Sequence, residues 1–324
     1  MLYVPLPLSD VIPIPGAEPI RPERRPALGY VMALSAAALF GVNGAVIKVA
    51  LDDGLSSYRL AELRCLISFV IFVFVVAAVR RDKLRTSKRE LAYLAVFGAC
   101  AVVLTQLLYL LAIRRLKIGV ALVLIFLGPL LVALWSRFVG KHQLRPRFWA
   151  ALGLSIVGLV LVVRLWDRFS LDGLGVAFAL AGAGAYTLYV LYAEHAVGRR
   201  DPISLLCFGF LFATLLWTVV QPWWSLPWST LAHDVSLHGN LAGQSLPEWV
   251  LVGWIVVLGT VVPFILVVGA LEHLPATRVA ICGMLEPVVA ALIAYVWLAE
   301  SLAPAQLVGG LFVLVAIGIA QTAR

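Results

Sequence analysis

Gly283-Met284-Leu285-Glu286-Pro287-Val288-Val289-Ala290-Ala291-Leu292 has an earlier counterpart in Ile125-Phe126-Leu127-Gly128-Pro129-Leu130-Leu131-Val132-Ala133-Leu134. Placing Pro129 on Pro287 sets an offset of 158 residues, and the same offset sets Leu144 on Leu302 and Pro146 on Pro304. Three matches in one register, each followed by an apolar run, read as two copies of one half.

Composition places both copies in a bilayer. The chain is 62% hydrophobic and 13% charged, with a mean hydropathy of +1.00, whereas a soluble domain carries about 25% charge. Ten apolar runs approach the roughly 20 residues needed to cross a hydrocarbon core. They cover 27–51, 60–79, 91–113, 118–139, 148–164, 173–193, 203–221, 248–271, 278–298 and 304–322. The runs are continuous, which favours helices over the alternating strands of a membrane barrel. The expected fold is an all-α membrane protein of ten transmembrane helices. One five-helix repeat lies in 27–165 and the other in 173–322. An odd number of spans per copy makes the second copy enter from the opposite side, so the repeats are inverted. Inverted repeats serve alternating access around a site near the midplane; a duplicated scaffold without a cavity is the other reading.

Residues 1–26 carry seven prolines and no apolar core of the signal-peptide kind, and read as a disordered cytoplasmic tail. Arg21, Arg24 and Arg25 precede the first span, where positive charge holds an end inside. With the amino terminus inside, seventeen of the 25 Lys and Arg residues fall on the inner side and six on the outer, with Lys48 and Arg64 within the membrane. Both termini are then cytoplasmic. Against this stands the Arg114-Arg115-Leu116-Lys117 turn, which that topology puts outside. The net charge of +8 reports orientation, and no nucleic-acid partner follows from it.

Phe40-Gly41-Val42-Asn43 followed by Lys48, Arg64 in the second span, the Pro129 and Pro287 helices, and Leu298-Ala299-Glu300-Ser301-Leu302 before a glycine-bearing last helix resemble the EamA-type members of the drug/metabolite transporter superfamily. The resemblance runs from about residue 27 to 322. It implies a ten-helix inner-membrane carrier, usually an exporter of amino acids or related metabolites. Among its members the chain is most similar to the YddG type of aromatic amino-acid exporter. It departs from the pattern at His142, where an acidic partner to Glu300 is expected in the first copy, at Glu286 against Gly128, and in its long loop after the seventh span.

Asn43, Gln106, Tyr109, Tyr186 and Tyr189 are polar or aromatic residues at mid-membrane depth, where inward placement is favoured, and are candidates for a substrate pocket; each could instead join helices together. Glu286 is the sharpest of the set. A carboxylate at mid-span costs about 2.5–3.5 kcal/mol unless neutral or paired, so it either carries a proton, meets a substrate amino group, or bonds the backbone freed by Pro287. Lys48 and Arg64 either snorkel, pair with Glu62 or Glu300, or attract a substrate carboxylate. Pro129, Pro263 and Pro287 fall near mid-span and read as hinges or standing kinks. The loop 222–247, with Trp223, Trp224 and Trp228, is an interfacial anchor or a lid.

Cys65, Cys100, Cys207 and Cys282 lie in different spans, and no clustered histidine motif or phosphate-binding loop occurs. No catalytic residue, metal or cofactor is therefore expected, and transport would draw on a gradient. The expected partners are a small-molecule substrate and membrane lipid; a monomer is compatible with the sequence. The favoured function is export of amino acids, aromatic ones first, by alternating access. Efflux of lipophilic cations is the competing transport reading, and an intramembrane enzyme or scaffold the competing class.

Overall fold

The computed structural model describes residues 25–79, 86–113, 115–116, 118–164, 172–197, 200–225 and 231–322. The Pro-rich tail through residue 24, the Arg114 and Lys117 positions and part of the Trp-rich loop lie outside them.

Ten helical spans occupy the described residues in chain order. Helix α1 is Pro26–Asp52 and α2 is Ser57–Val79. Helix α3 starts as Lys88–Val96, widens into a π turn at Phe97–Val103 and continues as Leu104–Ile113. Helix α4 has two arms, Ile118–Ile125 and Gly128–Phe138, and α5 is Pro146–Val162. The second half repeats the series. Helix α6 is Gly173–Val197, α7 is Pro202–Val220, and α8 is Glu248–Val256, a π turn at Val257–Val261, and Val262–His273. Helix α9 has the arms Ala276–Gly283 and Glu286–Val296, and α10 is Pro304–Thr322. Among the described residues nine helices are long and apolar enough to cross a membrane, and Pro146–Val162 is a shorter apolar helix that completes ten.

Local chemistry sets the boundaries. Prolines stand in the first turn of α1, α5 and α7, where the missing amide has no partner to lose. Asp201 caps α7 by accepting from the Ser204 amide at 3.2 Å, and Asp172 caps α6 through Gly175 at 2.7 Å. Pro129 and Pro287 do more: each stands in the first turn of a second arm, so α4 and α9 are broken just before the matched prolines. Pro263 likewise follows the π turn of α8.

The packing exchanges the halves. Helix α1 lies against α8 and α9, while α6 lies against α3 and α4; α2 packs on α7 and α5 on α10. Single contacts repeat the exchange. Gly29 meets Leu274, and Gly175 meets Leu116. The chain thus forms two inverted five-helix repeats. At the α5–α10 seam, a methyl on Gly158 would sit 2.7 Å from the Gly309 carbonyl oxygen, so the absent side chains let the backbones touch. Phe74, Phe138 and Val219 are exposed, as lipid-facing residues are.

One element departs from an all-helical expectation. The loop between α7 and α8 holds a two-stranded antiparallel hairpin, β1 (Asp234–Ser236) and β2 (Ser245–Pro247). It is docked, with Trp297 Nε1 donating to the Leu237 carbonyl at 2.9 Å and Asn240 Nδ2 to the Val296 carbonyl at 2.7 Å.

Candidate transport cavity

A cavity of about 630 Å³ opens at the end of the bundle where α1, α5 and α9 finish and α2 and α10 begin. Its rim carries Lys48, Asp52, Ser57 and Glu300, and its floor reaches Phe40, Arg64, Gln106, Tyr109, Phe126, Glu286 and Pro287. The floor therefore lies at the break of α9 and borders the break of α4. A hollow of about 680 Å³ on α3, α4 and α6 is lined by residues such as Leu104, Leu131, Trp135 and Leu188, and offers little polar surface to orient a polar ligand.

The charges in the cavity fall into two kinds. At the rim Lys48 Nζ meets Glu300 Oε1 at 2.5 Å, and both side chains are half exposed. Deeper, Arg64 turns into the bundle instead of snorkelling. Its Nε donates to Thr260 Oγ1 in the π turn of α8 at 3.0 Å. Its terminal nitrogens make no hydrogen bond to a described residue, and Glu286 makes neither a hydrogen bond nor an ion pair within 4 Å among the described residues. Arg64 and Glu286 are within electrostatic reach of each other across the cavity, with Tyr109 near both.

Of the residues singled out in the sequence, Gln106, Tyr109 and Glu286 line the cavity. Both polar atoms of the Gln106 amide are buried without a conventional hydrogen bond, beside the Cys65 thiol. Tyr186 stands behind the wall, its ring against Gly128 in one broken helix and its hydroxyl toward Gly283 in the other. Asn43 and Tyr189 do not line the cavity. Pro263 has no amide to offer the Gly259 carbonyl four residues back, and Asn43 Nδ2 occupies that carbonyl at 3.4 Å. Tyr189 is buried between Phe97, with ring centroids 5.9 Å apart, and Phe264, at 5.6 Å. Trp254 is exposed on the outside of the bundle.

Two further residues at the site are not among the sequence candidates: Thr260, which holds Arg64, and Gln306, whose Nε2 donates to the Val162 carbonyl at 3.0 Å at the cavity edge. Thr260 is not set apart by its type, because a threonine in a span ordinarily donates to its own helix, as Thr187 and Thr214 also do. Gln306 had a sequence signal: an amide two residues after the helix-starting Pro304.

Toward the opposite end the described residues are held together by rings and an ion pair. Rings run inward from Phe40 through Phe264, Tyr189 and Phe97 to the stacked pair Tyr93 and Tyr192, whose centroids are 4.6 Å apart. Beyond them Arg200 pairs with Glu90, donates from Nε to Ser204 Oγ at 3.0 Å, and lies over the Phe208 ring at 4.7 Å. Glu194 accepts from the Ala276 amide at 2.9 Å and caps α9 at the same end.

The model of the EamA-like transporter family matches residues 27–164 and again 173–320. The chain belongs to the EamA-like transporter family. Each match covers one five-helix repeat. As an EamA-like protein it is a multi-pass membrane transporter of small molecules and not an enzyme. It is similar to the threonine/homoserine exporter RhtA of Escherichia coli (strain K12), 26% identical over 78% of this chain and 79% of that one. To RhtA of Salmonella typhimurium (strain LT2) it is 25% identical over 91% of this chain and 90% of the other. An uncharacterized transporter of Archaeoglobus fulgidus is 25% identical over 78% and 83%. A crystal structure shares its fold with a TM-score of 0.72 and 16% identity, over 92% of this chain and 98% of that chain. Among the described residues no group of three or more His, Cys, Asp or Glu is placed to hold a metal.

Proposed function

We propose that the protein is a secondary carrier that exports amino acids across a bacterial-type inner membrane by alternating access. The observation that carries this reading is the cavity itself: its floor sits at paired helix breaks and presents the Arg64 guanidinium and the Glu286 carboxyl together, neither in an ion pair within 4 Å among the described residues. A lipid-filled scaffold would leave such charges a cost with no return. Discontinuous helices at the interface of inverted repeats are where carriers of this architecture bind substrate. The similarity to threonine/homoserine exporters supports amino acids as the class.

With the amino terminus inside, the open end faces outward and the Arg200–Glu90 end faces the cytoplasm, so the arrangement is an outward-facing one. Pro129, Pro263 and Pro287 mark where the helix ladders are already interrupted and bending costs least. Asn43, Tyr186 and Tyr189 then act as the shell behind the cavity, and Gln106, Tyr109 and Glu286 meet the substrate. Phe40, Phe126 and Tyr109 give the cavity room and aromatic surface for a ring, so phenylalanine and tryptophan belong in the test beside threonine and homoserine.

The test is counterflow of these four labelled amino acids in liposomes holding the purified protein, with and without an imposed pH gradient. Saturable amino-acid counterflow is the expected result, and the order of the four fixes the side-chain preference. Flux of a lipophilic cation such as tetraphenylphosphonium alone, or of nothing, overturns it. A fluorescent fusion after Arg324 reports the orientation: cytoplasmic signal is expected, and periplasmic signal reverses which face is open.

A further inference from the structure

Resting on the amino-acid reading above, we infer that the cavity floor is a clamp for a zwitterion: Arg64 takes the substrate carboxylate, Glu286 takes its ammonium, and the π turn of α8 holds Arg64 in position through Thr260.

A charged side chain within a helix bundle does not stand alone at no cost. It needs a partner, because an uncompensated charge in a low-dielectric interior is costly. Lys48 has one in Glu300 at 2.5 Å, and Arg59 has one in Glu62 at 3.0 Å. Arg64 and Glu286 line the same cavity and do not close on each other within 4 Å among the described residues. Two opposite charges held apart across one cavity are complementary to a small ligand that carries both charges on neighbouring atoms. An α-amino acid is such a ligand. A lone cation would leave Arg64 unpaired, and a lone anion would leave Glu286 unpaired.

Arg64 is fixed on the side away from the ligand. The Thr260 hydroxyl donates to the Ile255 carbonyl five residues back at 2.8 Å, which commits its proton to the first arm of α8 and turns its lone pairs to the Arg64 Nε at 3.0 Å. Thr260 is fully buried. With Nε held, the terminal nitrogens of the planar guanidinium remain as a fork, the geometry that binds a carboxylate through two parallel hydrogen bonds. The π turn is in turn braced from α1 by Asn43 on the Gly259 carbonyl. Glu286 opens the second arm of α9, a rigid mount directly after the helix break. The corresponding crossing in the other half is built differently: where α7 meets the π turn of α3, Gly98 lies against the Gly209 carbonyl and the Phe212 side chain, and neither contact is charged. The clamp therefore breaks the pseudo-symmetry of the repeats and gives the single site one polarity.

Thr260 is a positioning residue in this scheme, and Arg64 and Glu286 are the ligand-binding ones. The experiment uses the full-length protein in detergent. It measures the dissociation constants of threonine, threonine amide, which lacks the carboxylate, and 2,3-dihydroxybutyrate, which lacks the ammonium. Ligand-dependent thermal shift is the readout and circular dichroism the check on folding. Wild type should bind both analogues at least about tenfold more weakly than threonine, as loss of a charge-assisted hydrogen-bonded partner implies. Arg64→Gln should erase the difference between threonine and its amide and keep the other. Glu286→Gln should erase the difference between threonine and the hydroxy acid and keep the first. Thr260→Val should weaken threonine while leaving the amide unchanged, and Thr260→Ser should restore it. Folded variants that keep the wild-type ratios overturn the clamp while leaving the amino-acid carrier standing. A wild-type protein that binds and moves no amino acid overturns the carrier reading itself.

Discussion

The Thr187 hydroxyl of α6 shares its one proton between two carbonyl oxygens, that of Ala183 in its own helix at 2.8 Å and that of Gly128, the first residue of the second arm of α4, at 3.3 Å. In the other half the related place is held by Gly41 of α1, packed against the carbonyl oxygen of Glu286. The long unbroken helix of each repeat thus seats the broken helix of its counterpart, once by a hydrogen bond and once by the absence of a side chain.

Gly41→Ala should therefore be costly. A Cβ there would lie 2.7 Å from the Glu286 carbonyl oxygen and 2.7 Å from the Val289 Cβ, so α1 must move off the break of α9. The expected loss is about 1–3 kcal/mol of stability, together with weakened substrate binding at Glu286. Gly44→Ala is the control, since a Cβ at Gly44 meets nothing within 4 Å. Thermal unfolding of the two variants in the same detergent checks the contrast.

Asn43 and Pro263 should be energetically coupled. Asn43→Ala leaves the Gly259 carbonyl unsatisfied in a buried place, at a cost of about 1–3 kcal/mol. In a Pro263→Ala background the new amide at 263 is free to take that carbonyl, so the same Asn43→Ala change should cost much less. A double-mutant cycle by thermal unfolding measures the difference, and strict additivity would show that Asn43 does not serve the proline-freed carbonyl.

The Arg200–Glu90 pair should keep the end opposite the cavity shut. Removing one member of a largely buried pair strands the other, here at a cost of up to about 3 kcal/mol. Cys207 lies three residues beyond Ser204, one of the groups that hold Arg200, and is buried. In a protein retaining Cys207 as its one cysteine, Glu90→Gln should speed maleimide labelling of that thiol, and the double exchange Glu90→Arg with Arg200→Glu should slow it again. Labelling indifferent to Glu90 would assign closure to the Tyr93–Tyr192 stack alone.

The hairpin should be a docked wall and not a freely opening lid. Asn240 binds the end of α9 twice, its amide to the Trp297 carbonyl and its side chain to the Val296 carbonyl, each at 2.7 Å. Asn240→Ala should cost about 1 kcal/mol and raise hydrogen exchange in β1 and β2 without altering exchange in α3 or α6. Exchange in wild type that is already as fast as in the variant would restore the lid.

Much of the architecture was legible because a membrane simplifies the problem. Hydrocarbon admits only continuous helices or closed barrels, so the apolar runs, the matched Pro129 and Pro287 and an odd number of spans per copy lead to two inverted repeats without reference to any contact. Glu286, Gln106 and Tyr109 were legible as cavity residues because polar groups in apolar runs are conspicuous. Asn43 and Tyr189 were conspicuous for the same reason, yet one serves a carbonyl freed by Pro263 and the other a ring stack, since a polar atom or a ring in a span can be satisfied by protein as well as by ligand.

The sequence by itself determined the class of molecule, the number of its spans, the repeat and the matched prolines at which α4 and α9 break, all of which depend on local composition and on backbone chemistry at proline. Tertiary structure alone decided which charges are spent and which are available. Whether Lys48 answers Glu300, or Arg64 finds Thr260 instead of Glu286, depends on helices far apart in the chain meeting at one depth and at one rotation about their axes. Neither quantity is carried by hydropathy, because every face of these helices is apolar enough to meet either lipid or protein.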